Sequence, residues 1–131
     1  MTLVAYNPSS ANWPGLSQGV KVSGGDLLFL SGQTPLDENG NLVTGDFETQ
    51  VRAAFAAVER VLAEAGVGFD ALVRLTYYVS DYSPELVSVI KAVRTPLLST
   101  NCPPASVLIP VAELYDSDIR IEIEAIALIP R

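Results

Sequence analysis

The stretch Ile119-Arg120-Ile121-Glu122-Ile123-Glu124-Ala125-Ile126-Ala127-Leu128-Ile129 alternates with a period of two. Successive side chains of a β-strand point to opposite faces of its sheet. Ile119, Ile121, Ile123, Ala125, Ala127 and Ile129 therefore share one face of a long predicted strand, and Arg120, Glu122, Glu124, Ile126 and Leu128 share the other. The first face is wholly apolar and belongs in a core. The second starts charged and ends apolar, so it is not a simply solvated surface.

Residues 72–79 repeat the pattern, with Val73, Leu75, Tyr77 and Val79 on one face and Arg74, Thr76 and Tyr78 on the other. Leu27-Leu28-Phe29-Leu30 is a short continuous apolar run, which predicts a strand buried on both faces. Just before it, Val20 and Val22 alternate with Gly19 and Lys21, and Ser23-Gly24-Gly25-Asp26 is a turn cluster. Glycine supplies the positive φ of hairpin turns, so residues 17–31 read as two short strands with such a turn between them. Ala105–Val111 reads as a strand that Pro110 confines to an edge or a bulge. Leu3–Tyr6 is a candidate for one more.

Between the strands the period changes. In Asp46–Ala65 the apolar residues Val51, Ala54, Phe55, Val58, Val61, Leu62 and Ala65 recur at steps of three and one, the signature of one helix face. Asp46 suits the N-cap, Glu48 the first turn and Gly66 the left-handed position after the end. A second helix follows Asp81-Tyr82-Ser83-Pro84, with Ser83 as N-cap, Pro84 in the first turn, and Leu86, Val89, Ile90 and Val93 as its apolar face. Pro96 ends it early. The order β-β-α-β-α-β-β predicts an α+β layer, two helices on one face of a mixed or mainly antiparallel sheet. Tyr78, Ile126 and Leu128 then lie on the uncovered face. An apolar sheet face without helices of its own predicts contact with further subunits.

At 131 residues, a single domain over 1–131 is expected. Histidine is absent and Cys102 is the only cysteine, which removes Ser-His-Asp and Cys-His catalysis and thiolate or histidine zinc sites. No intrachain disulfide can form, in keeping with a reducing cytoplasmic setting. No apolar run approaches the roughly 20 residues of a membrane span, and Met1–Pro8 has no basic region followed by an apolar run. Eight Lys and Arg are scattered along a chain of net charge −7. Neither a nucleic-acid backbone nor an anionic membrane is an expected partner. No metal or cofactor is implied.

Four stretches together resemble the Rid/YjgF family of reactive-intermediate deaminases. They are Gln18-Gly19-Val20; Leu30-Ser31-Gly32-Gln33-Thr34-Pro35; the helix from Asp46 through Gln50 to Ala65-Gly66; and Pro104-Ala105 followed by Val111-Ala112-Glu113-Leu114 and Ile121–Ala127. Each is weak alone, but their order and spacing match across nearly the whole chain. The resemblance implies a chorismate-mutase-like two-layer sandwich assembled as a homotrimer, with the three sheets enclosing a barrel-like interior and a small-molecule cleft between neighbouring subunits. It also implies hydrolysis of reactive enamines or imines to a carbonyl compound and ammonia.

Taken position by position, the resemblance implies Glu122 as the catalytic carboxylate and Ser31 with Gly32 as ligand contacts. It places Leu16, Ser106 and Leu108 in the cleft, where the family carries a tyrosine, an arginine and a cysteine. A family asparagine falls near Ser88 or Val89 and finds no match. Ser106 is the departure with the largest consequence. A guanidinium matches a carboxylate in two parallel hydrogen bonds, and one serine hydroxyl offers neither the charge nor the fork. The substrate is therefore expected to differ from the usual 2-imino acids or to be held differently, with Arg120, Arg74 or Arg94 as substitutes. The alternative is a ligand-binding or regulatory trimer that has lost the chemistry.

Each residue also has a structural reading. Glu122 either positions water or forms a salt bridge on the sheet, for instance to Arg120. Glu124 reads as structural. Ser31 either meets ligand or satisfies its own loop. Cys102 has no histidine and no basic cluster to activate it, so it reads as a small interface residue. Trp13 and the tyrosines read as packing or subunit contacts.

Overall fold

The computed structural model describes residues 2–131; Met1, the first residue of the expected 1–131 domain, lies outside them. The elements are strands β1 (Thr2–Tyr6), β2 (Gly19–Ser23) and β3 (Gly25–Gln33), helix α1 (Phe47–Glu64), strand β4 (Leu72–Ser80), helix α2 (Glu85–Arg94), and strands β5 (Ala105–Val111) and β6 (Ile121–Pro130). A four-stranded sheet has the order β3-β6-β4-β5, and β1 and β2 form a separate two-stranded ribbon. β3, β6 and β4 pair antiparallel; β5 lies parallel to β4 at the edge, after a crossover through α2. Pro110, on that edge strand, lacks the N–H a central strand would need.

α1 forms as its period predicts. The Asp46 side chain accepts a 2.8 Å hydrogen bond from the Thr49 amide, and Gly66 takes φ +75° just past the end. Val51, Ala54, Phe55, Val58 and Leu62 are buried against Leu75, Tyr77 and Val79 of β4 and Ile121, Ile123, Ala125 and Ala127 of β6 in one cluster. α2 starts one residue later than the sequence suggests. Pro84 occupies the cap position, and the Leu86 and Val87 amides bond to the Ser83 and Pro84 carbonyls three residues back. That tight first turn takes the place of a serine side-chain cap.

Three expectations are corrected. β2 does not form a hairpin with β3. One residue, Gly24 at φ +70°, joins them, too few for the two-residue loop of the shortest common hairpins. β2 pairs instead with β1, from Tyr6↔Gly19 to Thr2↔Ser23. Nor is Leu27–Leu30 buried on both faces. Leu28 and Leu30 turn to the core, while Leu27 and Phe29, on the face away from the helices, remain 52% and 69% exposed among the described residues. In β4 the register slips between Leu72 and Arg74, so Leu72 is buried where Val73 was expected. Tyr78, Ile126 and Leu128 all lie on the face opposite the helices, as expected, Leu128 paired with Leu27; Tyr78 and Ile126 are half-buried there, and Leu128 is buried, packed close to Gly25.

Gln50 fixes how β6 enters the sheet. Its side chain is buried on α1, donates to the Asp118 carbonyl at 2.7 Å and accepts from the Arg120 amide at 2.8 Å. Gln50→Ala strands both backbone groups, and buried polar groups without partners are costly. We expect this variant to lose about 2–3 kcal/mol of unfolding free energy in urea titration.

Candidate functional site

A cavity of about 400 Å³ lies between α2 and the edge strand β5. α2 supplies Val87, Ile90, Lys91 and Arg94; β5 supplies Ser106, Leu108 and Pro110; Tyr77 of β4 and Leu16, Trp13 and Tyr82 complete it. The segment carrying Trp13 and Leu16 is held by Ser17, whose amide donates to the Pro104 carbonyl at 3.1 Å and whose hydroxyl donates to the Pro103 carbonyl. It comes so close over α2 that a Cβ on Gly15, at φ +82°, would sit 3.1 Å from Arg94 Nε. Three predicted ligand-binding positions, Leu16, Ser106 and Leu108, thus line one cavity.

Arg94 is the unusual member. It is only 6% exposed, forms no ion pair among the described residues, and its Nε has no hydrogen-bond partner. The Tyr77 hydroxyl beside it is also buried without a partner. Burial pushes the Tyr77 phenol up to about 12, and the nearby Arg94 charge opposes that shift in part. Of the other two arginines considered as substitutes, Arg120 donates to the Ser80 and Asp81 carbonyls and stacks on Phe47. Arg74 borders a small hollow with Phe29, Thr76 and Glu124 on the open face. The sequence named three arginines; Arg94 is the one that lines the cavity with Ser106. Tyr77, Tyr82 and Lys91 were not anticipated there. The nearest signal was that Arg94 continues the buried α2 stripe one turn beyond Ile90.

Glu122, Ser31 and Gly32 lie elsewhere. Glu122 pairs with Tyr78, and Ser106 and Leu108 pair with Leu75 and Tyr77. Tyr77 and Tyr78 are consecutive in one strand and point to opposite faces. The Glu122 group is therefore on the open sheet face and the cavity on the helix face. β3 has an extra residue between its Leu30↔Ala125 and Gln33↔Ile123 pairs, a bulge made by Ser31 and Gly32. A Cβ on Gly32 would meet the Glu122 carboxyl group, whose Cδ is 2.7 Å from that position. The glycine thus makes room for the carboxylate. Glu122 has no hydrogen bond or ion pair among the described residues, and the salt bridge to Arg120 considered for it does not form. Glu124 accepts a 2.7 Å hydrogen bond from the Tyr78 hydroxyl, which raises the Tyr78 pKa. The Cys102 thiol is also pushed up, chiefly by burial, which keeps it protonated at neutral pH.

One substitution tests the packing of Gly32 on Glu122. Gly32→Ala should swing the Glu122 side chain to a new rotamer, visible in a crystal structure. Because a flexible side chain yields, we expect a stability cost of no more than about 1 kcal/mol by thermal denaturation. A backbone shift in β3 with Glu122 unmoved would contradict this.

The family model described as Endoribonuclease L-PSP matches residues 9–129. A RutC family protein of Pyrococcus abyssi is 33% identical over 112 residues, 85% of this chain and 84% of that one. The 2-iminobutanoate/2-iminopropanoate deaminase of Salmonella typhimurium is 30% identical over 128 residues, 97% of this chain and 96% of that one. Among solved structures, the Rid-family protein YyfB of Yersinia pestis, of unknown function, superposes with a TM-score of 0.90 at 31% identity and covers 98% of this chain and 100% of its own. On the family model, these relatives and the shared fold, this chain belongs to the Rid/YjgF family.

Proposed function

We propose that the protein hydrolyses a small reactive imine or enamine, in a cleft that one chain supplies to its neighbour in a homotrimer. The observation that carries this reading is the Glu122 carboxylate, unpartnered among the described residues and lodged against Gly32 at the Ser31–Gly32 bulge, on the sheet face away from the helices. Leu27 and Phe29, farther along β3 on the same face, are apolar surface that assembly would bury. Its chemistry also fits the deaminase of Salmonella typhimurium among the relatives.

In the proposed reaction Glu122 accepts a proton from a water molecule as that water adds to the C=N carbon. The proton passes to nitrogen to give a carbinolamine; its hydroxyl proton then moves to the nitrogen as the C–N bond breaks and the C=O bond forms, and a carbonyl compound and ammonia leave. Ser31 and backbone groups of the bulge orient the ligand. Ser106 stands where the resemblance puts a carboxylate-binding arginine, so a 2-imino acid cannot be held from β5 in the usual way. The replacements at Leu16, Ser106 and Leu108 also favour a second reading, a trimer that binds a small ligand without turning it over.

The test is ammonia release from 2-iminobutanoate and 2-iminopropanoate generated in place, with uncharged imines alongside. Hydrolysis by the wild type that falls about a hundredfold or more in Glu122→Gln is the expected result. Ligand binding with no release of ammonia from any imine would select the second reading.

A further inference from the structure

We infer that Arg94 of α2 is the anion receptor of the cavity and holds the carboxylate of a small ligand that the β5 strand, with Ser106, cannot hold. This rests on reading the cavity as the ligand cleft. It adds a specificity-determining residue that comes from a different element than the family's own arginine.

Four observations support it. Arg94 is more than nine-tenths buried with no acidic partner, and its Nε is unsatisfied. A buried cation that is left unpaired is costly, whereas one that meets an anion in its site is offset by it. The Tyr77 hydroxyl beside it is a second unsatisfied polar group, able to donate to the same anion. The cavity lining contains two cations, Arg94 and, one turn earlier, Lys91, and no carboxylate. The chain as a whole has 15 acidic residues against 8 basic ones, so the charge of this lining is opposite in sign to that of the molecule. Finally, the Gly15 backbone passes close to Arg94, so that a Cβ there would sit 3.1 Å from Nε, and the absence of a side chain at that position leaves the guanidinium its space.

The remaining lining gives the class of ligand. Leu16, Ile90, Val87, Leu108 and Trp13 form an apolar wall around this one charged corner. It suits a small carboxylate with a short aliphatic body. A planar carboxylate takes two parallel bonds from a guanidinium, which a tetrahedral phosphate can share but an amide cannot.

Binding is measured by calorimetry on the intact protein with 2-oxobutanoate, its uncharged counterpart butanamide, and inorganic phosphate. The wild type should bind 2-oxobutanoate, Arg94→Gln should bind it about a hundredfold or more weakly, and Arg94→Lys should fall between them. Butanamide should bind weakly to all three proteins. Phosphate binding stronger than 2-oxobutanoate would overturn the carboxylate assignment. Equal 2-oxobutanoate affinity in wild type and Arg94→Gln, or no binding to the wild type, would overturn the inference. Thermal denaturation without ligand supplies a separate check. Removing an unpaired buried charge in Arg94→Met should leave the melting temperature unchanged or higher, and a clear fall would instead assign Arg94 a structural partner. Because turnover is not read, the two proposals fail separately. Arg94-dependent binding without ammonia release removes only the hydrolase reading, and Glu122-dependent turnover with Arg94-independent binding removes only this one.

Discussion

The sheet is covered on one face only, and the rest of the molecule follows from that. α1 and α2 bury Leu75, Tyr77, Val79, Ile121 and Ile123, whereas on the other face Leu27 and Phe29 stay exposed among the described residues and Tyr78 and Glu122 are only half-buried. Leu27 and Phe29 are exposed there, and burying them would contribute roughly 25 cal/mol for each Å² of apolar surface removed from water. Edge strand β3 bends at the Ser31–Gly32 bulge and makes space there for a carboxylate. Its open face therefore carries both the exposed apolar side chains and the candidate acid.

The same one-sided layering divides the candidate site. The helix face has Arg94 and Tyr77 beside Ser106, and the open face has Glu122 beside Ser31 and Gly32. A sheet one layer thick separates the two groups, so no rotamer change within the chain brings them together. A neighbour that covers the open face of one chain while presenting its own α2–β5 cavity would join them. Closed symmetric assemblies repeat such a contact at every interface.

Much of this could be read from the sequence, and the failures have physical causes. The caps and 3.6-residue period of α1, and the alternation of β6, depend on neighbours a few residues away, so local pattern is enough. The pairing of β2 with β1, the exposure of Leu27 and Phe29 and the two bulges depend on which strand lies beside which. A run such as Leu27–Leu30 looks the same whether one face or both are buried. In the site, Glu122, Ser31 and Gly32 could be named by motif, and Leu16, Ser106 and Leu108 by position. The choice among Arg74, Arg94 and Arg120 could not be made, because it turns on the packing of the Trp13–Leu16 segment over α2, long-range contacts that no periodicity records.

The most direct measurement of the central claim, that two half-sites are joined between chains, is activity recovery in mixed assemblies. Glu122→Gln and Arg94→Gln chains, each impaired alone, are unfolded together, refolded at equal ratio and assayed for ammonia release. If the carboxylate and the guanidinium of one site come from different chains, about one site in four recovers both groups, and activity rises well above that of either parent. No activity above the parents would mean that the two groups do not meet across an interface, which would contradict this account.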